Sequence, residues 1–197
     1  MGQSVYQRVL GSDFEKLSPQ LRPYFTGDSA GRPGLGSGVF TVAGLRRRIL
    51  APVMRYLAFQ RILFPEFARA VPFDVVNTPR PDGSLRALRT FHLPERDRPL
   101  EDTMRVVDGR LHDFMGRRGG LEVRMALEII DGNLRMSSVR QWLHLGTLRV
   151  RIPQLATVSV AESWVDDHQH VDVRLRSPVI GEWFRYAGSF SYRYEER

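Results

Sequence analysis

From residue 70 onward, apolar and polar residues alternate with a period of two, the pattern of half-buried β-strands. Val71 to Val76 and Leu85 to Leu93 pair across a Pro81-Asp82-Gly83-Ser84 turn, and Met104 to Val107 pairs with Leu111 to Met115 about Asp108-Gly109. The clearest hairpin spans 121–143, where the odd positions from Leu121 to Ile129 are apolar and Asp131-Gly132 turns the chain into Leu134 to Leu143. Leu148–Ile152, Thr157–Val165, His170–Arg176 and Trp183–Tyr194 complete the run. Eight to ten antiparallel strands with turns about every ten residues predict a strongly curved sheet or a barrel.

Upstream the period lengthens. Val5 to Leu10 suits one short helix, and Ser18-Pro19 offers an N-cap and a first-turn proline for another, docked by Leu17, Leu21, Tyr24 and Phe25. Residues 26–38, with five glycines, read as a mobile loop; their spacing matches neither the dinucleotide fingerprint nor the Walker loop. The segment 45–64, LRRRILAPVMRYLAFQRILF, predicts one longer apolar helix whose face carries Leu50, Val53, Met54, Leu57, Ala58 and Phe59. Arg55 and Arg61 interrupt it too often for a membrane span. Two placements suit it: packed over the open side of the sheet, or lying in a membrane interface. The expected organisation is mainly β (α+β), a single domain over 1–197. Within it, 1–44 is a helical and Gly-rich segment, 45–64 a helix and 70–197 an antiparallel β region.

Composition narrows the function classes. With 42% hydrophobic residues the chain can bury a core, and the absence of cysteine removes disulfides, thiolate metal sites and thiol chemistry. The net charge is +7, yet Lys16 is the one lysine among 29 basic residues, and most arginines alternate with apolar residues along predicted strands. No nucleic-acid-binding motif accompanies the charge, so nucleic acid is not an expected partner. The opening Met1 to Arg8 lacks the pattern of a signal peptide, and a cytoplasmic location is expected.

A tight turn fixes which residues face each other across a hairpin. If Ile129 pairs with Leu134, Leu127 faces Met136, Met125 faces Ser138, Val123 faces Arg140 and Leu121 faces Trp142. A turn at Asp166-Asp167 likewise pairs Trp164 with Gln169, Glu162 with Val171, Val160 with Val173 and Val158 with Leu175. Arg140 and Glu162 then point into apolar faces, where an unpartnered charge costs several kcal/mol, and each is the natural partner of the other. Either they form a polar anchor inside an apolar cavity, or they sit near a rim or in a slipped register. The last strand carries Phe184, Tyr186, Phe190, Tyr192 and Tyr194 on one face, with Gly188 where another backbone or a ligand approaches. Trp142 and Trp164 join that lining, which suits either a core or a lipophilic ligand.

Catalytic signals are sparse. His168-Gln169-His170 places two imidazoles on one face near Asp166, Asp167 and Asp172, but an acidic turn beside a strand explains the group equally well, and no metal site is expected. His92, His112 and His144 are isolated in sequence, and no serine stands in a nucleophile elbow. No cofactor is called for.

Three segments carry a family resemblance: SVYQRVLGSDFEKLSPQLRPYF at the start, LEVRMALEIIDGNLRMSSVRQWLHLG in the middle and VDVRLRSPVIGEWFRYAGSF near the end. Within them stand Asp131, Gly132, Arg140, Trp142, Leu145 and Gly146, then Glu162, and then Pro178, Gly181, Tyr186 and Gly188. Together they resemble the bacterial family called domain of unknown function 4166. The resemblance brings no established activity. Similar domains stand alone or follow NAD(P)-dependent oxidoreductase domains, so it implies at most a separate NAD(P)-dependent oxidoreductase as partner.

The leading expectation is a binding module for a small lipophilic ligand in the concave face of the sheet. Its candidate residues are Arg140, Glu162, Trp142, Trp164, Tyr186 and Tyr192. The alternatives are an enzyme or accessory subunit acting with an oxidoreductase on such a ligand, and a membrane-surface or protein-interaction module using the 45–64 helix.

Overall fold

Aspartate-led turns set the architecture. In the computed structural model, which describes residues 2–28, 30–154 and 156–195, Asp131 (φ 51°) and Gly132 (φ 77°) both adopt left-handed backbone. A two-residue turn of this kind matches the twist of its strands. Asp108-Gly109 and Asp166-Asp167 repeat the geometry.

Among the described residues, eleven antiparallel strands result. They are β1 (Gly34–Leu45), β2 (Phe67–Pro79), β3 (Leu85–His92), β4 (Asp97–Val107), β5 (Arg110–Met115), β6 (Leu121–Ile130), β7 (Asn133–Leu145), β8 (Leu148–Ile152), β9 (Thr157–Val165), β10 (His168–Ser177) and β11 (Gly181–Tyr194). Neighbours in sequence pair from β1 to β7; β7 then pairs with β9, and β11 returns to β1, closing a barrel of ten strands. β8 lies outside the ring, paired with the outer half of β7. Closure explains the period-two pattern: one phase of each strand fills the interior and the other meets solvent.

β1 corrects the expectation of a mobile loop over 26–38. Gly34, Gly36 and Gly38 lie inside the strand, and a Cβ at Gly38 would strike the Ser189 and Phe190 backbone of β11. Gly188 meets the Phe40 backbone in the same way. Glycine serves here for close strand approach, which composition does not distinguish from a loop.

Separate segments cover the two ends of the barrel. At the end holding the Asp131-Gly132 turn, helices α1 (Val5–Leu10) and α2 (Arg22–Thr26), with a 3-10 turn between them, bury Leu17, Leu21 and Phe25 against Leu111, Met125 and Leu134. A Ser4–Gln7 capping box starts α1, and Ser18 N–H donates to the Gly132 carbonyl at 2.9 Å.

At the other end the predicted helix over 45–64 is corrected. Leu45 ends β1, and only Ala51–Phe59 forms an α-helix (α3), after a 3-10 turn at Arg48–Leu50. Pro52 fits a first helical turn but not the interior of a longer helix, and Arg61 (φ 59°) stops the helix behind it. Ile62, Leu63 and Phe64 then enter the core, tied to the wall by Glu101 N–H to Arg61 O (2.9 Å) and Arg117 N–H to Gln60 O (3.0 Å). Among the described residues, no helix is long and apolar enough to cross a membrane.

Candidate functional site

Three neighbouring strands each place one charged residue in their inward phase. β3 presents Ala87, Arg89 and Phe91; β4 presents Leu100, Asp102 and Met104; β5 presents Leu111, Asp113 and Met115. Across the barrel β9 contributes Glu162, opposite Val171 of β10 and Leu134 of β7. These groups line a cavity of about 130 Å³ between the two end covers. Phe40, Phe73, Phe190, Tyr24 and Tyr186 form much of its wall, with Tyr6 from the N-terminal cover and Ile62 and Leu63 from the other.

Carboxyls outnumber cations in this cavity. Arg89 pairs with Asp102, whose side chain is almost fully buried. Burial raises the Asp102 pKa against the pull of Arg89, while burial and the Asp102 charge push Asp113 well above the usual carboxylate range. Among the described residues, Asp102 Oδ2 and Asp113 Oδ1 are buried without a hydrogen-bond partner, an arrangement that favours a proton on one of the two carboxyls. Glu162 is 6% exposed and accepts a hydrogen bond from Gln169 Nε2 through Oε2. Burial pushes its pKa up to about 7, against the Gln169 bond and the charge of Arg89. Burial also raises Tyr186, to about 12, so its hydroxyl stays a neutral donor.

The predicted residues divide. Glu162 and Tyr186 face the cavity. Tyr192 lies at the helix-covered end, hydrogen-bonded to Asn77 Nδ2 at 3.3 Å, in an adjoining space of about 380 Å³ that shares Tyr6 and Tyr24 with the cavity. Trp164 pairs with Gln169 near the end of β9 and is substantially exposed.

Arg140 and Trp142 correct the predicted register. Val123 faces Gln141, not Arg140, and Leu121 faces Leu143, not Trp142. A β-bulge at Val139 inserts one residue in β7 after the pairs predicted correctly up to Met125 and Ser138, which turns Arg140 outward opposite Arg124. Arg140 and Glu162 are therefore not partners. Arg89, Asp102 and Asp113 were missed, although each interrupts an alternating apolar stripe in the same way as Glu162.

A second polar cluster forms on the outer face where β5, β6, β7 and β8 meet. Glu122 accepts from His112 Nδ1 (2.6 Å), His144 Nε2 (2.6 Å) and Arg149 Nε and Nη2 (2.8 and 2.7 Å). The Arg149 guanidinium stands 4.0 Å from the Trp142 ring centre, and Trp142 stacks on His112. Burial works against the Glu122 charge, but the three partners outweigh it and hold its pKa at about 2. Elsewhere, His168 bonds the Asp166 carbonyl and His170 bonds Ser189 Oγ. Among the described residues, no group of three His, Asp or Glu side chains is placed to hold a metal.

A family model described as a domain of unknown function (DUF4166) matches residues 17–190, a span that takes in α2, α3 and nearly the whole barrel. The chain belongs to this family. Over 200 residues the DUF4166 chain is 24% identical to "Uncharacterized protein YndH" of Bacillus subtilis (strain 168), covering 95% of this chain and 96% of that protein. No solved structure matches it.

Proposed function

We propose that this DUF4166 barrel is a binding module for a small lipophilic molecule held in its interior. The observation that carries this reading is an interior cavity, walled in large part by aromatic and aliphatic side chains, that holds a few polar groups, the usual make-up of a small-molecule site. Its 130 Å³ is close to the engineered apolar cavity of about 150 Å³ that accepts benzene. The buried part of the ligand is thus about one ring in size, and a longer tail would pass Tyr6 and Tyr24 into the adjoining space. Native mass spectrometry of the purified protein, followed by denaturation and identification of released molecules, tests the reading. The expected result is a small apolar species that a cavity-filling Val160→Trp variant loses and Arg140→Ala keeps. A clean mass, unchanged after incubation with ring-sized apolar probes, would remove the proposal.

A second reading draws on α3. Ile49 (83% exposed), Val53 (57%) and Tyr56 (63%) follow helical spacing on one side, with Phe59 (67%) beyond, while Met54 packs inward. Segment 45–64 holds five arginines and no acid; Arg46 and Arg61 pair with Glu182 and Glu101, and Arg47, Arg48 and Arg55 stand exposed. An apolar stripe flanked by unopposed positive charge complements an anionic bilayer. Co-sedimentation with phosphatidylserine-containing vesicles, absent with phosphatidylcholine alone and lost in Val53→Asp/Phe59→Asp, would support it. Equal partition to both vesicle types, or to neither, would count against it.

A further inference from the structure

Resting on the reading of the cavity as a ligand site, we infer that the ligand carries a hydrogen-bond-donating, cationic amine head, and that Glu162 is the group that receives it. The inference starts from a count of charges in the cavity. Four acidic residues line the space; Glu101 is paired with Arg61 and Arg86, which leaves Asp102, Asp113 and Glu162 with one lining cation, Arg89. Arg89 is taken by Asp102, and Asp102 Oδ2 and Asp113 Oδ1 are fully buried, out of a ligand's reach. Glu162 is left without a positive partner.

Its surroundings also point to a missing donor. Glu162 Oε2 accepts from Gln169, whereas Oε1 bonds no other group among the described residues and still does not number among the buried orphan atoms. Glu162 is one of the residues that line the cavity. A carboxylate buried to this extent, with one oxygen free and apolar walls around it, is stabilised by an ammonium that brings both charge and N–H donors. Tyr24, Tyr186 and Phe190 line the same cavity, and aromatic rings attract a cation. A carboxylate ligand would meet three acids and compete with Asp102 for Arg89. An alcohol would satisfy Oε1 but leave the charge uncompensated.

Benzylamine, benzyl alcohol and benzoate share one ring and differ in the head, so their relative affinities read the head-group preference directly. Titrations followed by protein NMR at pH 7.5 should rank benzylamine first, at least about tenfold tighter than benzoate, as one charge-assisted hydrogen bond warrants. Glu162→Gln, which keeps the shape, should weaken benzylamine by about tenfold or more and move benzyl alcohol by less than about threefold. Benzoate ranking first, or benzylamine binding unchanged in Glu162→Gln, overturns the inference while leaving the cavity reading in place, with Arg89 the anchor. Failure of all three to perturb cavity-lining residues overturns both. The ranking in the unsubstituted protein is read without any variant, so a folding defect in Glu162→Gln would not obscure it.

Discussion

The two buried acidic clusters of the barrel both set carboxyls beside an arginine, and they behave in opposite ways. On the outer face, Glu122 meets two histidines and an arginine, every lone pair is used, and the carboxylate is held ionised far below its ordinary range. Inside, three carboxyls share one arginine, and burial drives protons onto them. The outer cluster is closed: it ties β5, β6, β7 and the β8 arm together and offers nothing to a ligand. The inner cluster is open. Its polar groups are unequal in number, they face a cavity, and burial favours their protonated forms. Partner balance, more than burial, separates a staple from a site.

The comparison breaks most easily at Glu122. Glu122→Ala leaves His112, His144 and Arg149 without their acceptor, and removal of one partner from a buried pair costs about 3–5 kcal/mol. Urea unfolding at pH 7 should show a loss of that size. Since the Glu122 pKa is lowered in the fold, its contribution is present above about pH 4.5 and disappears as the pH falls toward 2.

Glu162→Gln should act in the other direction. The Glu162 pKa is raised from 4.5 to about 7, so the folded protein binds the extra proton and its stability declines as the pH rises from 4.5 to 7. The amide cannot ionise. At pH 8 the variant should be the more stable by up to about 3 kcal/mol, with a flatter stability profile between pH 5 and 7 in thermal unfolding. A less stable variant at pH 8 would show that Glu162 is paired as an ion.

Asp113→Asn sharpens the contrast further. Burial and the neighbouring Asp102 charge favour the neutral form of Asp113, which an amide mimics, so the cost should stay under about 1 kcal/mol by chemical denaturation. A loss of several kcal/mol would mean an ionised Asp113. Arg140→Ala should have the smallest effect, within about 0.5 kcal/mol, because Arg140 is exposed and stands opposite Arg124.

Much of this arrangement is legible in the alternation of the strands. The same register rule that places Glu162 opposite Val171 also places Met125 opposite Ser138, and both pairs occur. It fails at Arg140 because a single bulged residue, Val139, flips everything beyond it, and no local composition marks the bulge. The charge at Arg140 was itself the cue for a slip, yet the identical cue at Glu162 marked a genuine inward acid. Arg89, Asp102 and Asp113 obey the pattern and could have been found by asking which charges interrupt an inward phase. The β1 glycines and the shortened α3 were harder. A glycine chosen for strand approach resembles one chosen for a loop, and the apolar content of 45–64 outweighed the warning from Pro52.

The central claim is that the barrel interior receives a ligand, and the methionines report on it directly. Met104, Met115, Met125 and Met136 line the cavity, whereas Met54 lies on α3 away from it. With methyl-labelled methionine, saturation with benzyl alcohol or benzylamine should shift the four cavity signals and leave Met54 in place. Shifts confined to Met54, or none at all, would contradict an occupied interior.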